Sequence, residues 1–151
     1  MEENSPNLNY AIDQFWDTVP RVWNLIRGHV RTIAAEQFEI SVEQFHVLRH
    51  IRKGLTSVKD IAEARQISRP AISQAAETLV EKGLITRREE VGDRRYVHLA
   101  LTPQGDELLN QIFQQNRAWM KEQMASLSAD EIETISAGLR HLKSAFDEPA
   151  V

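Results

Sequence analysis

The chain has 151 residues, 42% hydrophobic and 26% charged, with a net charge of −4 and no cysteine. That composition belongs to a folded domain, and the missing cysteine excludes disulfides, thiolate metal sites and cysteine-based redox sensing. The opening MEENSPNLNY is acidic and polar, unlike a signal peptide, and no run of ~18 apolar residues is present, so a cytoplasmic protein with no membrane partner is expected.

The charge is unevenly spread. From Arg49 to Arg95 there are eleven Lys/Arg against seven Asp/Glu, while the remainder carries seven against fifteen. Salt screens charges over ~8–10 Å, so the local field at a docking face matters more than the net value. A basic middle between acidic ends is compatible with a nucleic-acid partner.

In chain order, residues 8–36 carry one long helical pattern. Ile12, Phe15, Trp16, Val19, Trp23, Ile26, Val30 and Ile33 recur at three- and four-residue steps. Pro20 interrupts it, which predicts either two helices or one bent helix. A stripe this long exceeds what a small domain needs and suggests a partner helix. Ser41 and Gln44 have capping-box spacing. They open a second helix with Phe45, Leu48 and Ile51 inward, Arg49, Arg52 and Lys53 towards solvent, and Gly54 as its end.

Ser57 caps a third helix, with Val58, Ile61 and Ala62 inward. Arg65-Gln66-Ile67 is a turn. Ser68 caps a fourth helix, with Arg69-Pro70 in its first turn. Ile72, Ala76, Leu79 and Val80 form its expected buried stripe, and Gly83 closes it. Residues 85–90 and 96–101 read as strands around a hairpin loop, Val91-Gly92-Asp93-Arg94-Arg95. Thr102-Pro103 starts a fifth helix with Leu108, Leu109, Ile112, Phe113, Trp119, Met120 and Met124 on its apolar face. Ser128 and Glu131 box the start of a sixth, striped by Ile132, Ile135, Leu139, Leu142 and Phe146. The two chain ends read as frayed.

At 100° per residue, the outer face of the fourth helix shows Arg69, Pro70, Ser73, Gln74 and Glu77 at its N-terminal end. Gln can bond adenine and Arg guanine in pairs, and small side chains let the backbone approach. A helix N-terminus also favours a phosphate, and Ser68 can donate there. In helix-turn-helix proteins this end of the second helix reads bases. Taken alone, such a face is equally that of a solvated surface helix. The hairpin adds Asp93, Arg94 and Arg95: arginine suits the negative potential of a narrow minor groove, and the carboxylate can orient Arg95. Helix, turn, helix and basic hairpin in this order are more specific than any one part.

The stretch SRPAISQAAETLVEKGLITRREEVGDRRYVHLALTPQG resembles the winged helix-turn-helix of the multiple antibiotic resistance regulator (MarR) family. The landmarks are Ser-Arg at the recognition helix, Leu-x-x-Lys-Gly-Leu-Ile at its end, Asp-x-Arg in the wing and Leu-Thr-Pro-x-Gly entering the next helix. The resemblance implies a mainly α fold with a small β-hairpin wing. It implies a DNA-binding lobe over residues 41–101 within one domain, 1–151, and dimerisation helices over 8–36 and 103–146. It implies a homodimer on a pseudo-palindromic double-stranded operator, commonly a repressor released by a small aromatic or phenolic effector. The family's DNA contacts fall on Ser68, Arg69, Pro70, Ser73 and Gln74 and on Arg94 and Arg95, with Asp93 holding the arginine. The peroxide-sensing branch works through cysteine, which this chain lacks.

Other constellations carry less. His46 and His50 stand four apart, a two-histidine metal spacing, but no HExxH or cysteine supplies further ligands. Two surface or interfacial histidines are the plainer reading, and no metal or cofactor is expected. Trp16 and Trp23 can line an effector pocket with Phe45 and Arg49, the arginine pairing an aromatic carboxylate; ordinary packing is the plainer reading for either tryptophan. No nucleophile elbow, phosphate-cradling glycine loop or paired-carboxylate site argues for an enzyme. The alternatives are a metal-responsive regulator of the same fold and a winged-helix module that binds protein.

Overall fold

A computed structural model describes residues 7–90 and 93–147. The order is α1 (Leu8–Phe38), α2 (Val42–Arg52), α3 (Val58–Arg65), α4 (Arg69–Glu81), β1 (Ile85–Glu90), β2 (Asp93–Leu101), α5 (Pro103–Gln123) and α6 (Ala129–Asp147). The chain divides into two compact units, one ending at Arg117 and one beginning at Ala118.

Pro20 lies inside α1, which runs unbroken from Leu8 to Phe38. Of the two outcomes expected at that proline, a single helix is the one observed. The helix ends where Glu39 turns left-handed, φ 53°, and the Ile40 amide closes back onto Ala34 O at 2.9 Å. The chain then drops Ile40 into the core and re-enters helix at Ser41. There the capping box forms in both directions: Gln44 N donates to Ser41 Oγ at 3.2 Å, and Ser41 N donates to Gln44 Oε1 at 3.1 Å.

The first unit's core collects Ile33, Val47, Leu48, Ile61, Ile72, Leu79, Ile85, Leu99, Leu109 and Ile112, all nearly inaccessible. α2 and α3 pack on α4, α4 on β1, and β2 on α2. The buried stripe of α4 is Ile72, Ala75, Ala76 and Leu79. Val80, expected inside, is 36% exposed, and Ala75 takes its place. Positions 72, 75, 76 and 79 lie within one narrow sector of a 3.6-residue helix, and Val80 falls at its edge.

The hairpin is antiparallel, Ile85 opposite Leu101 and Arg87 opposite Leu99, with an irregularity between Glu89 and Glu90. β2 starts at Asp93, earlier than the expected Tyr96, so Asp93, Arg94 and Arg95 have strand backbone and are not loop. Val91 and Gly92 lie outside the described residues. Leu99 N also donates to Thr56 O at 2.7 Å, which ties the chain before α3 to the hairpin.

The start of α5 is pressed onto the wing's root. Thr102 Oγ1 donates to Gly83 O at 2.7 Å and accepts from Gly105 N at 3.1 Å. A Cβ on Gly105 would stand 2.0 Å from Leu84 O. The Thr-Pro-x-Gly signal therefore has a packing reason: only a hydrogen fits there. In the second unit, the end of α5 leads by a short turn to α6. Ser128 N donates to Glu131 Oε2 at 2.8 Å and Glu131 N to Ser128 Oγ at 3.2 Å; hydrogen bonding of the carboxyl to the Ser128 backbone, then to its side chain, holds Glu131 below its ordinary range. No described residue of α6 is buried.

Candidate nucleic-acid interface

The turn between α3 and α4 fixes the presentation of α4. Gln66 is left-handed at φ 54°, and Ile67 N returns to Ala62 O at 3.1 Å. The chain then reaches Ser68 extended, and Ser68 Oγ accepts from Ala71 N at 3.3 Å. That bond spends a lone pair and leaves the hydroxyl proton available.

Beyond the cap, Arg69, Pro70, Gln74 and Glu77 are exposed on one face and Ser73 is half-buried. Ser73 is held from the wing: Arg87 Nη2 donates to its Oγ at 3.4 Å. Five of the residues singled out in the sequence thus share the N-terminal end of one capped helix. The side chains of Asp93, Arg94 and Arg95 lie outside the described residues; their backbone continues β2 from the hairpin tip.

Between this end of α4, the start of α3 and the hairpin lies an open groove of about 770 Å³. Arg69 and Ser73 line it with Lys59, Arg87 and His98, and Asp60 is the one carboxylate among the described residues that line it. His98 Nδ1 meets Thr56 Oγ1 at 3.3 Å. Sequence reasoning did not single out Lys59, Arg87 or His98. Strand alternation was the available signal for Arg87, which faces Leu99 in register and so can be aimed from β1.

The residues named for an effector separate. Trp23, Phe45 and Arg49 line one cavity of about 260 Å³ with Arg27, His46 and Phe113. The Phe45 and Phe113 rings stand 6.1 Å apart, and the Arg49 guanidinium lies 5.9 Å from the Phe45 ring. Trp16 does not line that cavity; it is 67% exposed, edge-on to Phe15. Arg52 is exposed, as expected, and also donates to Asp106 Oδ1 and Asn110 Oδ1 at 2.7 and 2.9 Å, clamping α2 to α5.

His46 and His50 sit 6.5 Å apart. Burial, followed by the charges of Arg65, Arg49, His50 and Arg27, lowers His46 to about 4. His50 is lowered by burial, Arg65, Arg49 and Lys53. Among the described residues, no three His, Cys, Asp or Glu side chains gather as a metal site.

A capped recognition-type helix, a preceding helix joined by a tight turn, and a hairpin beside them define a winged helix-turn-helix. The MarR family model matches residues 38–95. The HTH-type transcriptional repressor MdtR of Bacillus subtilis is 30% identical over 98 residues, 64% of this chain and 63% of that protein. The chain therefore spans less than two thirds of this relative's length. The fold matches the transcriptional regulator Tm0710 of Thermotoga maritima with TM-score 0.79 at 18% identity, over 89% of this chain and 95% of that one. A mutant of S. aureus MepR bound to an oligodeoxyribonucleotide matches with TM-score 0.62 at 25% identity, over 95% and 100%. Over residues 38–95 the chain is of the MarR family.

No described helix is long and apolar enough to cross a membrane.

Proposed function

We propose that the chain is a sequence-specific DNA-binding transcriptional regulator, a repressor that acts as a homodimer on a pseudo-palindromic operator. The observation that carries this reading is the exposed, Ser68-capped end of α4 beside a groove lined by Lys59, Arg69, Arg87 and His98. In this reading Arg69 and Gln74 contact base edges, with Pro70 and Ser73 shaping the approach. Ser68 and the groove cations hold phosphates, and Arg94 and Arg95, positioned by Asp93, enter the minor groove. MdtR is named a repressor, and the MepR structure holds DNA.

A dimer is supported by apolar side chains left uncovered in the protomer. Leu8, Trp16, Val22 and Leu25 on α1 and Ile135, Leu139 and Phe146 on α6 are all exposed. Patches of this kind on helices mark protein interfaces. A small aromatic or phenolic effector fits the cavity at Trp23, Phe45 and Arg49, and its binding would release DNA. Residence in the cytoplasm follows from a role on chromosomal DNA.

The test is binding to the protein's own promoter region across a salt series. Each neutralised phosphate contributes a slope of ~−0.9 in log affinity against log salt, so a steep negative slope is expected and a flat one would overturn the reading. Arg87→Ala is expected to weaken binding to all sequences and flatten that slope by ~1. Gln74→Ala is expected to cost ~1–3 kcal/mol and relax base preference; unchanged discrimination would remove Gln74 from the readers.

A further inference from the structure

The lobe that carries α4 joins its flanking helices by two short crossings, residues 39–41 before it and Thr102 after it. At the first, Lys82 from the end of α4 donates to Glu39 O at 2.5 Å. That tie is a single contact on a flexible four-carbon stem. At the second, Gly105 lies against Leu84 and makes a pivot. Arg52, in the last turn of α2, reaches past that pivot along α5. Its Nε and Nη2 donate to Asp106 Oδ1 at 3.1 and 2.7 Å. Nη2 also donates to Asp106 O at 2.7 Å and to Asn110 Oδ1 at 2.9 Å. Its Cζ stands 6.0 Å from the Phe113 ring.

Asp106, Asn110 and Phe113 follow at steps of four and three, so they share one face of α5 over ~10 Å of its length. An exposed ion pair contributes little to stability, and Leu109 and Ile112 already bury the inner face of α5. Apolar burial is non-directional, whereas a guanidinium fork on a carboxylate fixes an angle. The clamp therefore sets direction more than it adds strength.

We propose that Arg52 is a positioning residue for operator selection: by fixing the direction of α5 against the lobe, it sets the half-site spacing that the dimer accepts. This rests on the homodimeric DNA-binding reading above, to which it adds the residue that specifies spacing. In that reading α4 moves with the lobe, and the helices flanking the lobe join the two copies. A tilt of the lobe on α5 then changes the separation of the two recognition helices, and two-fold symmetry counts it twice. One base pair added between half-sites moves one of them by ~3.4 Å and turns it by ~34° about the DNA axis. A stiff link rejects that site, and a loosened link follows it.

Two measurements on the full chain test this. The chain has no cysteine, so Glu77→Cys places one spin label per protomer on the exposed side of α4. Without DNA, the distance between labels is expected to be narrowly distributed, and Arg52→Ala is expected to shift or widen it by ~3 Å or more, the rise of a base pair. The melting temperature is expected to stay nearly unchanged. The second measurement uses the site selected from random DNA, with its half-sites moved by one base pair. The unmodified protein is expected to lose at least ~tenfold in affinity and Arg52→Ala less than ~threefold. The salt slope of Arg52→Ala is expected to match that of the unmodified protein, because the clamp touches no phosphate. Asp106→Ala is expected to relax spacing in the same way, and the double variant to add nothing further.

An unchanged label distance, an unchanged spacing penalty, or independent effects of Arg52→Ala and Asp106→Ala would each overturn the inference and leave the dimer reading standing. A salt slope flattened by ~1 in Arg52→Ala would make Arg52 a phosphate contact and also overturn it. Labels with no dipolar coupling in the unmodified protein would overturn the homodimer, and the inference with it. Coupled labels in a chain that selects no DNA site would overturn the DNA-binding reading and the inference together.

Discussion

The lobe around α4 and the helix α6 carry apolar stripes of the same period and treat them in opposite ways. Ile72 and Leu79 on α4 are fully enclosed by α2, α3 and β1. On α6, Leu139 is 62% exposed and Phe146 81%. Periodicity states which residues share a face, and it does not state whether the cover is the same chain or another. The lobe closes its own core; α6, like the first half of α1, leaves apolar side chains exposed, the area that a second copy would remove from water in the proposed dimer.

The same substitution placed in both regions separates them most strongly. Leu79→Ala is expected to lower stability by ~2–5 kcal/mol, at any protein concentration, because it opens a void in a closed core. Leu139→Ala removes as many atoms from a side chain that the protomer leaves in water. Its cost is expected to appear as weaker self-association in sedimentation and as a melting temperature that depends on concentration. A concentration-independent loss of equal size at Leu139 would mean that no second copy covers α6.

Gly105→Ala comes next, at ~1–3 kcal/mol or more, since the added Cβ would meet the Leu84 carbonyl at 2.0 Å. Thermal unfolding checks this, and a neutral result would show that the root of the wing yields easily. This site also marks what the sequence made legible. Caps, turn and hairpin announced themselves because Ser41, Ser57, Ser68 and Gly83 act locally, on amides and dihedrals a few residues away. The groove side of Arg87, the clamp of Arg52 on Asp106 and the exposure of Trp16 were not legible. Each depends on elements brought together from distant parts of the chain. Val80 failed for a finer reason: its sector lies one step from the buried stripe.

A smaller effect is expected from acid. His46 is lowered from 6.5 to about 4 in the folded protein, so the unfolded chain binds the proton first. The resulting stability is complete above about pH 6.5 and declines as pH falls towards the folded value. Urea midpoints taken at neutral pH and near pH 4.5 are expected to fall less in His46→Gln than in the unmodified protein. Equal falls would place the acid sensitivity on other groups.

The smallest expected change concerns the glycine within α6, and it tests that helix with a single methyl group. A Cβ built on Gly138 meets nothing within 4 Å in the protomer. Glycine within a helix costs ~1 kcal/mol relative to alanine, so Gly138→Ala is expected to stabilise by up to that amount. Gly138 lies three residues after Ile135 and four before Leu142, at the border of the apolar stripe, where a second helix can come near. The sign of the change therefore reports the distance of the partner. A gain at every concentration places the partner's backbone away from Gly138. A loss that disappears on dilution to monomer would put the helix crossing at this residue, with the missing Cβ serving the dimer as Gly105 serves the root of the wing.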